Sequence, residues 1–245
     1  MNPKAFLKAH RAVIDRLLKD LRPLSFSAPV WHVYNPLDYG RPVYEQYLSR
    51  YGKAPKQVVF VGMNPGPWGM VQTGVPFGEI AAVRDWMGLQ IAFVPPRKMH
   101  PKRPVLGAAC RRTEASGKRL WGWAKERFGT ADRFFDRFFV ANYCPLAFIE
   151  ESGRNRTPDH LKAAEKAPLF SACDRALKET IRLLSPALVV GIGNFAASRV
   201  AAALSELSLP TGQILHPSPA NPRANRGWAD IVEAQLAKMG VELQG

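Results

Sequence analysis

Four short apolar runs constrain this chain more than any other feature: Val58–Gly62, Phe138–Asn142, Leu188–Ile192 and residues 213–215. Each is too short for a helix and is bounded by turn-forming residues, so each reads as a buried strand. Between them lie helical patterns at 80–87, 119–128, 161–184 and 195–207, and a last helix is expected from about 225 to 239. Upstream, Phe6, Leu7, Val13, Ile14, Leu17, Leu18 and Leu21 recur at helical spacing, and Pro23 stops that helix. Strands alternating with helices imply an α/β fold with a mostly parallel four-stranded sheet, covered on both faces.

The unusual residues sit where such a fold would use them. Each run is followed at once by a polar or Gly/Pro-rich turn: MNPGP, NYCP, GNF and HPSP in chain order. Open α/β sheets bind ligands outside the carboxyl ends of their strands, so these four turns should meet in one crevice.

Charge narrows the partner. The 245 residues, 47% hydrophobic, suffice for one α/β domain over 1–245, with 1–30 as an N-terminal helical extension. A net charge of +14, from 34 Lys and Arg against 20 Asp and Glu, favours a polyanionic partner, nucleic acid above all, over a merely basic soluble protein. Residues 95–119 carry Arg97, Lys98, Lys102, Arg103, Arg111, Arg112, Lys118 and Arg119 against one acid, Glu114. Lying between the first two turns, that run is expected to meet phosphates. Cys110, Cys144 and Cys173 show no metal-ligand spacing and fit a reducing cytoplasm, or a nucleus in a eukaryote. The charge-dotted N-terminus lacks the apolar stretch of a signal peptide or membrane span. No metal, cofactor or membrane is expected, and the chain is taken to act as a monomer.

The segment Gly62-Met63-Asn64-Pro65-Gly66-Pro67-Trp68-Gly69-Met70 is a stiff loop with room for close backbone approach. In full it reads GMNPGPWGMVQTGVPFGE, and three further segments accompany it: HPKRPVLGAACRRTEASGKRLW, FFVANYCPL and HPSPANPRANRGW. Together they resemble, in order from about residue 31 to 228, the single-strand-selective monofunctional uracil-DNA glycosylases, a branch of the uracil-DNA glycosylase superfamily.

That resemblance implies an α/β/α sandwich that flips uracil out of single- or double-stranded DNA and hydrolyses its N-glycosidic bond. Hydroxymethyluracil and other deaminated bases are further expected substrates. Asn64 falls where the family positions the attacking water, and His216 where a histidine contacts the base carbonyl. Phe77 falls on the residue that stacks on the base, and Asn142 on the one that reads its edge. Gly62, Met63, Gly66 and Met70 fall on the rest of the base pocket. Lys102, Arg103, Arg111 and Arg112 are expected to contact the DNA backbone. Pro217, Ser218, Pro219, Ala220, Asn221 and Arg223 fall on the wedge that fills the emptied duplex. The family's wedge carries a long basic side chain where this chain has Ala220.

The residue types suit those roles. An amide such as Asn142 can accept from uracil N3–H while donating to O4, and cytosine presents the opposite pattern. A donor from His216 to O2 stabilises charge that grows only as the bond breaks. Asn64 does not ionise, so it orients a water rather than deprotonating it. None of the four turns contains a lysine, so no Schiff-base lyase step is expected. Two rival readings share parts of this pattern. A damage-binding module without catalysis would need neither His216 nor Asn64. A nucleotide-cofactor enzyme would use the GxGxxA match at Gly191–Ala196, yet the next strand ends in His216 rather than a ribose-binding acid.

Overall fold

The computed structural model describes residues 3–243. Helix α1 (Pro3–Leu21) leads through β1 (Val30–Tyr34), α2 (Pro36–Tyr39) and α3 (Arg41–Tyr51) to β2 (Val58–Gly62). After β2 come a single turn, α4 (Met70–Thr73), a wide π-type turn at Ala82–Trp86 and a long loop. Helices α5 (Ala115–Phe128) and α6 (Ala131–Arg137) then deliver the chain to β3 (Phe138–Asn142). The rest runs β4 (Ala147–Glu150), β5 (Asn155–Arg156), α7 (Ala163–Leu184), β6 (Leu188–Ile192), α8 (Asn194–Ala203), β7 (Thr211–Ile214) and α9 (Trp228–Lys238).

The main sheet has the order β3-β2-β6-β7, and every pair is parallel. All residues of β2 and β6 are buried, as expected for central strands with helices on both faces. Gly62 pairs with Asn142 and Ile192 with Ile214, so the carboxyl ends of all four strands lie along one edge. Going from β2 the chain first adds β3 on one side, then returns to place β6 on the other. This reversal at β2 is the topological switch point, where α/β sheets open a crevice.

The helices interlock around that sheet, α7 against α1 and α8, and α6 against α3 and α5. From α1, Phe6, Val13, Ile14, Leu17 and Leu21 are part of the main hydrophobic core. An aromatic cluster of Phe128, Phe134, Phe135 and Phe138 joins α5, α6 and the start of β3, with the Phe134 ring 5.0–5.4 Å from the other three.

Several features depart from the sequence expectation. The last strand starts at Thr211 and ends at Ile214, two residues earlier than expected at its start, because its edge position leaves Thr211 and Gln213 exposed and blurs the apolar signal. The helix expected at 80–87 forms over residues 80–86, but it widens into a π-helix from Ala82 to Trp86. A second sheet, β1-β4-β5, is antiparallel and was not anticipated. Its strands are at most five residues long, and β4 begins within five residues of Asn142, so no periodicity separates it from the preceding turn. The Gly191 motif forms a tight strand-to-helix turn: a Cβ on Gly191 would lie 2.2 Å from the Ala197 nitrogen.

Candidate active site

At the carboxyl ends of the sheet lies a cleft of about 390 Å³, within the usual range of small-molecule sites. Its lining comes from three of the four expected turns and from Phe77: Met63, Asn64, Gly66 and Met70 after β2, Asn142 at the end of β3, and His216 with Ser218 after β7, whereas the GNF turn after β6 contributes no lining residue. Gly62 lies just beneath. A Cβ there would stand 2.5 Å from the Phe77 ring and 2.6 Å from Asn142 Oδ1, so only glycine lets these two approach each other. Gly66, by contrast, has space for a Cβ and leaves its free face to the cleft.

Backbone bonds sew the first two turns together. Tyr143 N–H donates to the Gly62 carbonyl at 2.8 Å, and Cys144 N–H to that of Met63 at 2.9 Å. Asn64 Nδ2 donates to the Leu146 carbonyl at 3.0 Å, which leaves Oδ1 as an acceptor. Asn142 Nδ2 meets only a soft partner, Met70 Sδ at 3.3 Å, a contact that a better acceptor can displace.

Phe77 adopts a left-handed backbone, φ +52°, which costs a bulky residue roughly 1–2 kcal/mol. Its carbonyl is held by Trp121 Nε1 at 2.9 Å, and the start of α5 packs onto it so closely that a Cβ on Gly117 would lie 1.9 Å away. The ring sits 6.1 Å from that of His216, tilted by 43°.

Ser218 N–H donates to His216 Nδ1 at 3.1 Å. An Nδ1 that accepts cannot carry the proton, so the neutral ring bears it on Nε2. Burial pushes the His216 pKa down to about 4, which keeps the ring neutral at physiological pH. Gly193 stands against it, where a Cβ would be 3.0 Å from His216 Cβ.

Besides Pro67 and Gly69 of the loop after β2, the sequence reading missed four residues that line the cleft from outside the four turns: Glu114, Ser116, Asn155 and Thr157. Glu114 caps α5, accepting from the N–H groups of Ser116 and Gly117, and a Cβ on Gly69 would strike its Cγ at 2.6 Å. Burial raises its pKa, against the lowering effect of those two amides. An acid placed just before a helical pattern was the available signal. Asn155 Oδ1 is buried and has no hydrogen-bond partner among the described residues.

The basic residues lie outside the cleft. Arg103 and Arg112 stand over the Trp68 ring, 5.1 and 5.7 Å from its centre, while Lys102 and Arg111 are exposed. Arg119 turns inward to the loop after β7 and is occupied there, unlike the phosphate contact expected of the whole run. In that loop Pro217 is buried, Pro219, Ala220 and Arg223 are exposed, and Asn221 Oδ1 accepts from Arg223 N–H at 3.1 Å. No group of three or more His, Cys, Asp or Glu among the described residues is arranged to hold a metal ion.

This combination of a parallel sheet, a cleft at its switch point and amide, imidazole and aromatic groups converging there agrees with sequence comparison. The family model of the uracil DNA glycosylase superfamily matches residues 49–235. Single-strand selective monofunctional uracil DNA glycosylase from Bos taurus is 47% identical over 229 residues, covering 92% of this chain and 84% of that protein. The Rattus norvegicus protein of the same description is 46% identical, with 92% and 82% covered. The fold is shared with the crystal structure of wild-type SMUG2 from Pedobacter heparinus, at a TM-score of 0.64 and 16% identity, over 93% of this chain and 97% of that one. The chain belongs to the single-strand selective monofunctional family of the uracil DNA glycosylase superfamily.

Proposed function

We propose that the protein excises uracil from DNA by hydrolysing the N-glycosidic bond and leaves an abasic site. The relatives' activity supports the reaction, and the neutral, Nε2-protonated His216 facing Phe77 is the observation that carries it to this chain. A base in the duplex is out of reach, so the target nucleotide must first rotate into the cleft. There Phe77 stacks on its face, while Asn142 Oδ1 accepts from N3–H and Nδ2 exchanges its sulfur contact for O4.

As the bond between C1′ and N1 breaks, the electron pair leaves with uracil and positive charge spreads over the sugar. His216 Nε2–H donates to O2 and stabilises the anion as it forms. Asn64 Oδ1 accepts from a water, whose oxygen bonds to C1′, and the proton released passes to solvent or to the departing base. No lysine lines the cleft, so the reaction ends at the abasic site without strand cleavage by the enzyme. Hydroxymethyluracil shares the same N3 and O4 edge and is a second substrate on that ground.

The loop after β7 acts as the wedge, and the exposed cations hold the backbone. Incubation with a uracil-containing oligonucleotide, followed by alkali, should yield strand breaks at the uracil alone. Tight binding to that oligonucleotide with no alkali-labile site would instead identify a damage-binding module.

A further inference from the structure

The exposed large hydrophobic side chains of the molecule are not scattered. Of the four among the described residues, Val94, Met99 and Leu106 lie on the loop between residues 90 and 113, and Trp31 packs edge-on against His100 of the same loop at 4.8 Å. Over those residues the chain has six cations, Arg97, Lys98, Lys102, Arg103, Arg111 and Arg112, and no acid. None of the six forms an ion pair among the described residues.

The loop is fixed despite having little regular structure. Tyr34 Oη donates to the Arg103 carbonyl at 2.7 Å and accepts from His100 N–H at 2.7 Å. Gln72, beside the cleft, donates to the Pro104 carbonyl at 3.0 Å and accepts from Leu106 N–H at 2.8 Å. Through Arg103 the loop also reaches Trp68, which stands between Pro67 and Gly69 of the cleft lining.

We propose that this surface is a track for single-stranded DNA, leading away from the cleft over Trp68 and Arg103 to Trp31. The inference rests on the proposed glycosylase reading and adds the course of the strand beside the flipped base. Unpaired cations suit phosphates, and apolar and aromatic side chains set among them suit unstacked bases. A duplex offers its bases only in the grooves and would leave Trp31, Met99 and Leu106 facing a phosphate wall. A protein partner would meet six like charges with no acid among them.

Single strands with one uracil, carrying an arm of about eight nucleotides on its 5′ or 3′ side, test this when the arm is shortened stepwise. Half-saturation in single-turnover excision should weaken roughly tenfold when one particular arm falls below about four nucleotides, and the other arm should not matter. The variant Trp31→Ala/Leu106→Ser should lose that arm dependence yet cut the shortest substrate like wild type. Indifference to both arms, or equal dependence on both, would overturn the track. A variant impaired equally on every length would do so too. Should no strand be cut at all, the proposed function fails, and anisotropy with the same arms still decides whether the track exists.

Discussion

Arg119 Nη1 donates to the carbonyl of Pro217 at 2.9 Å, so a side chain from α5 grips the residue directly after His216. Its Nη2 donates to Asn225 Oδ1 at 3.0 Å, and Asn225 Nδ2 in turn bonds the Pro219 carbonyl at 2.9 Å. One guanidinium thus holds both ends of the loop that carries Ala220.

If that loop is the wedge, it lacks a long basic side chain at Ala220 and must rely on its rigidity to open the duplex. Arg119→Lys cannot span both acceptors. Excision from double-stranded DNA should fall about tenfold or more in that variant, the worth of one charge-assisted bond, with a smaller loss on single strands. Equal losses on the two substrates would separate Arg119 from duplex opening.

Asn142→Asp distinguishes base reading from a turn-capping role, because Asp caps turns as well as Asn does. In the cleft, however, the carboxylate sets an acceptor against uracil O4, costing about 1–3 kcal/mol or more. Excision should collapse at neutral pH and recover partly as the pH falls and the carboxyl protonates. A variant equal to wild type on uracil at pH 8 would return Asn142 to a structural role.

Gly62→Ala inserts a methyl group between Phe77 and Asn142, both within 2.6 Å of the new atom. If Phe77 is the base platform and Asn142 the base reader, displacing both together should lower the single-turnover rate by roughly a hundredfold, the cost of a misplacement of about 1 Å. Near-normal rates in a folded variant would show that the two groups tolerate a gap.

Asn155→Ala removes a buried acceptor that has no partner among the described residues. If the bound substrate or its water fills that acceptor, the variant should lose about tenfold in single-turnover rate while its melting temperature holds or rises. A less stable variant with an unchanged rate would argue for a purely structural amide.

The pH dependence follows from two histidines. Burial lowers His10 to about 4, with a smaller contribution from the charge of Arg41, and burial alone lowers His216 to about 4. An unfolded histidine titrates near 6.5, so between roughly pH 6.5 and 4 the unfolded chain binds more protons. The contribution of these two histidines to stability should therefore be constant above that window and fall as pH is lowered through it. For His10, 2% exposed, the loss approaches roughly 3 kcal/mol at the lower end. Urea midpoints between pH 7.5 and 5 should fall less steeply for His10→Met than for wild type. Parallel curves would exclude His10 as a source.

Strands β2, β3 and β6 were legible because burial on both sides writes each as an uninterrupted apolar run closed by a turn, whereas the half-exposed edge strand β7 was placed two residues late. Asn64, Phe77, Asn142 and His216 meet in the cleft because the turns carrying them follow or adjoin parallel strands. Glu114 was hidden by its neighbours: in a run of cations it reads as a solvated counter-charge, and only the tertiary packing of Gly69 buries it. Arg119 was misread for the same reason, since its partners are more than ninety residues away. The second sheet stayed invisible because strands of two to five residues have no period to detect.

The stitching of Cys144 to Met63, Asn64 to Leu146 and Arg119 to Pro217 spans separations of 81 to 98 residues. No contiguous fragment shorter than most of the chain contains a whole pocket. A short fragment therefore cannot hold a looser pocket that admits the wrong base. For a catalyst that removes bases from a genome, such a fragment would be a mutagen, and a site assembled only by the complete sheet makes failure silent.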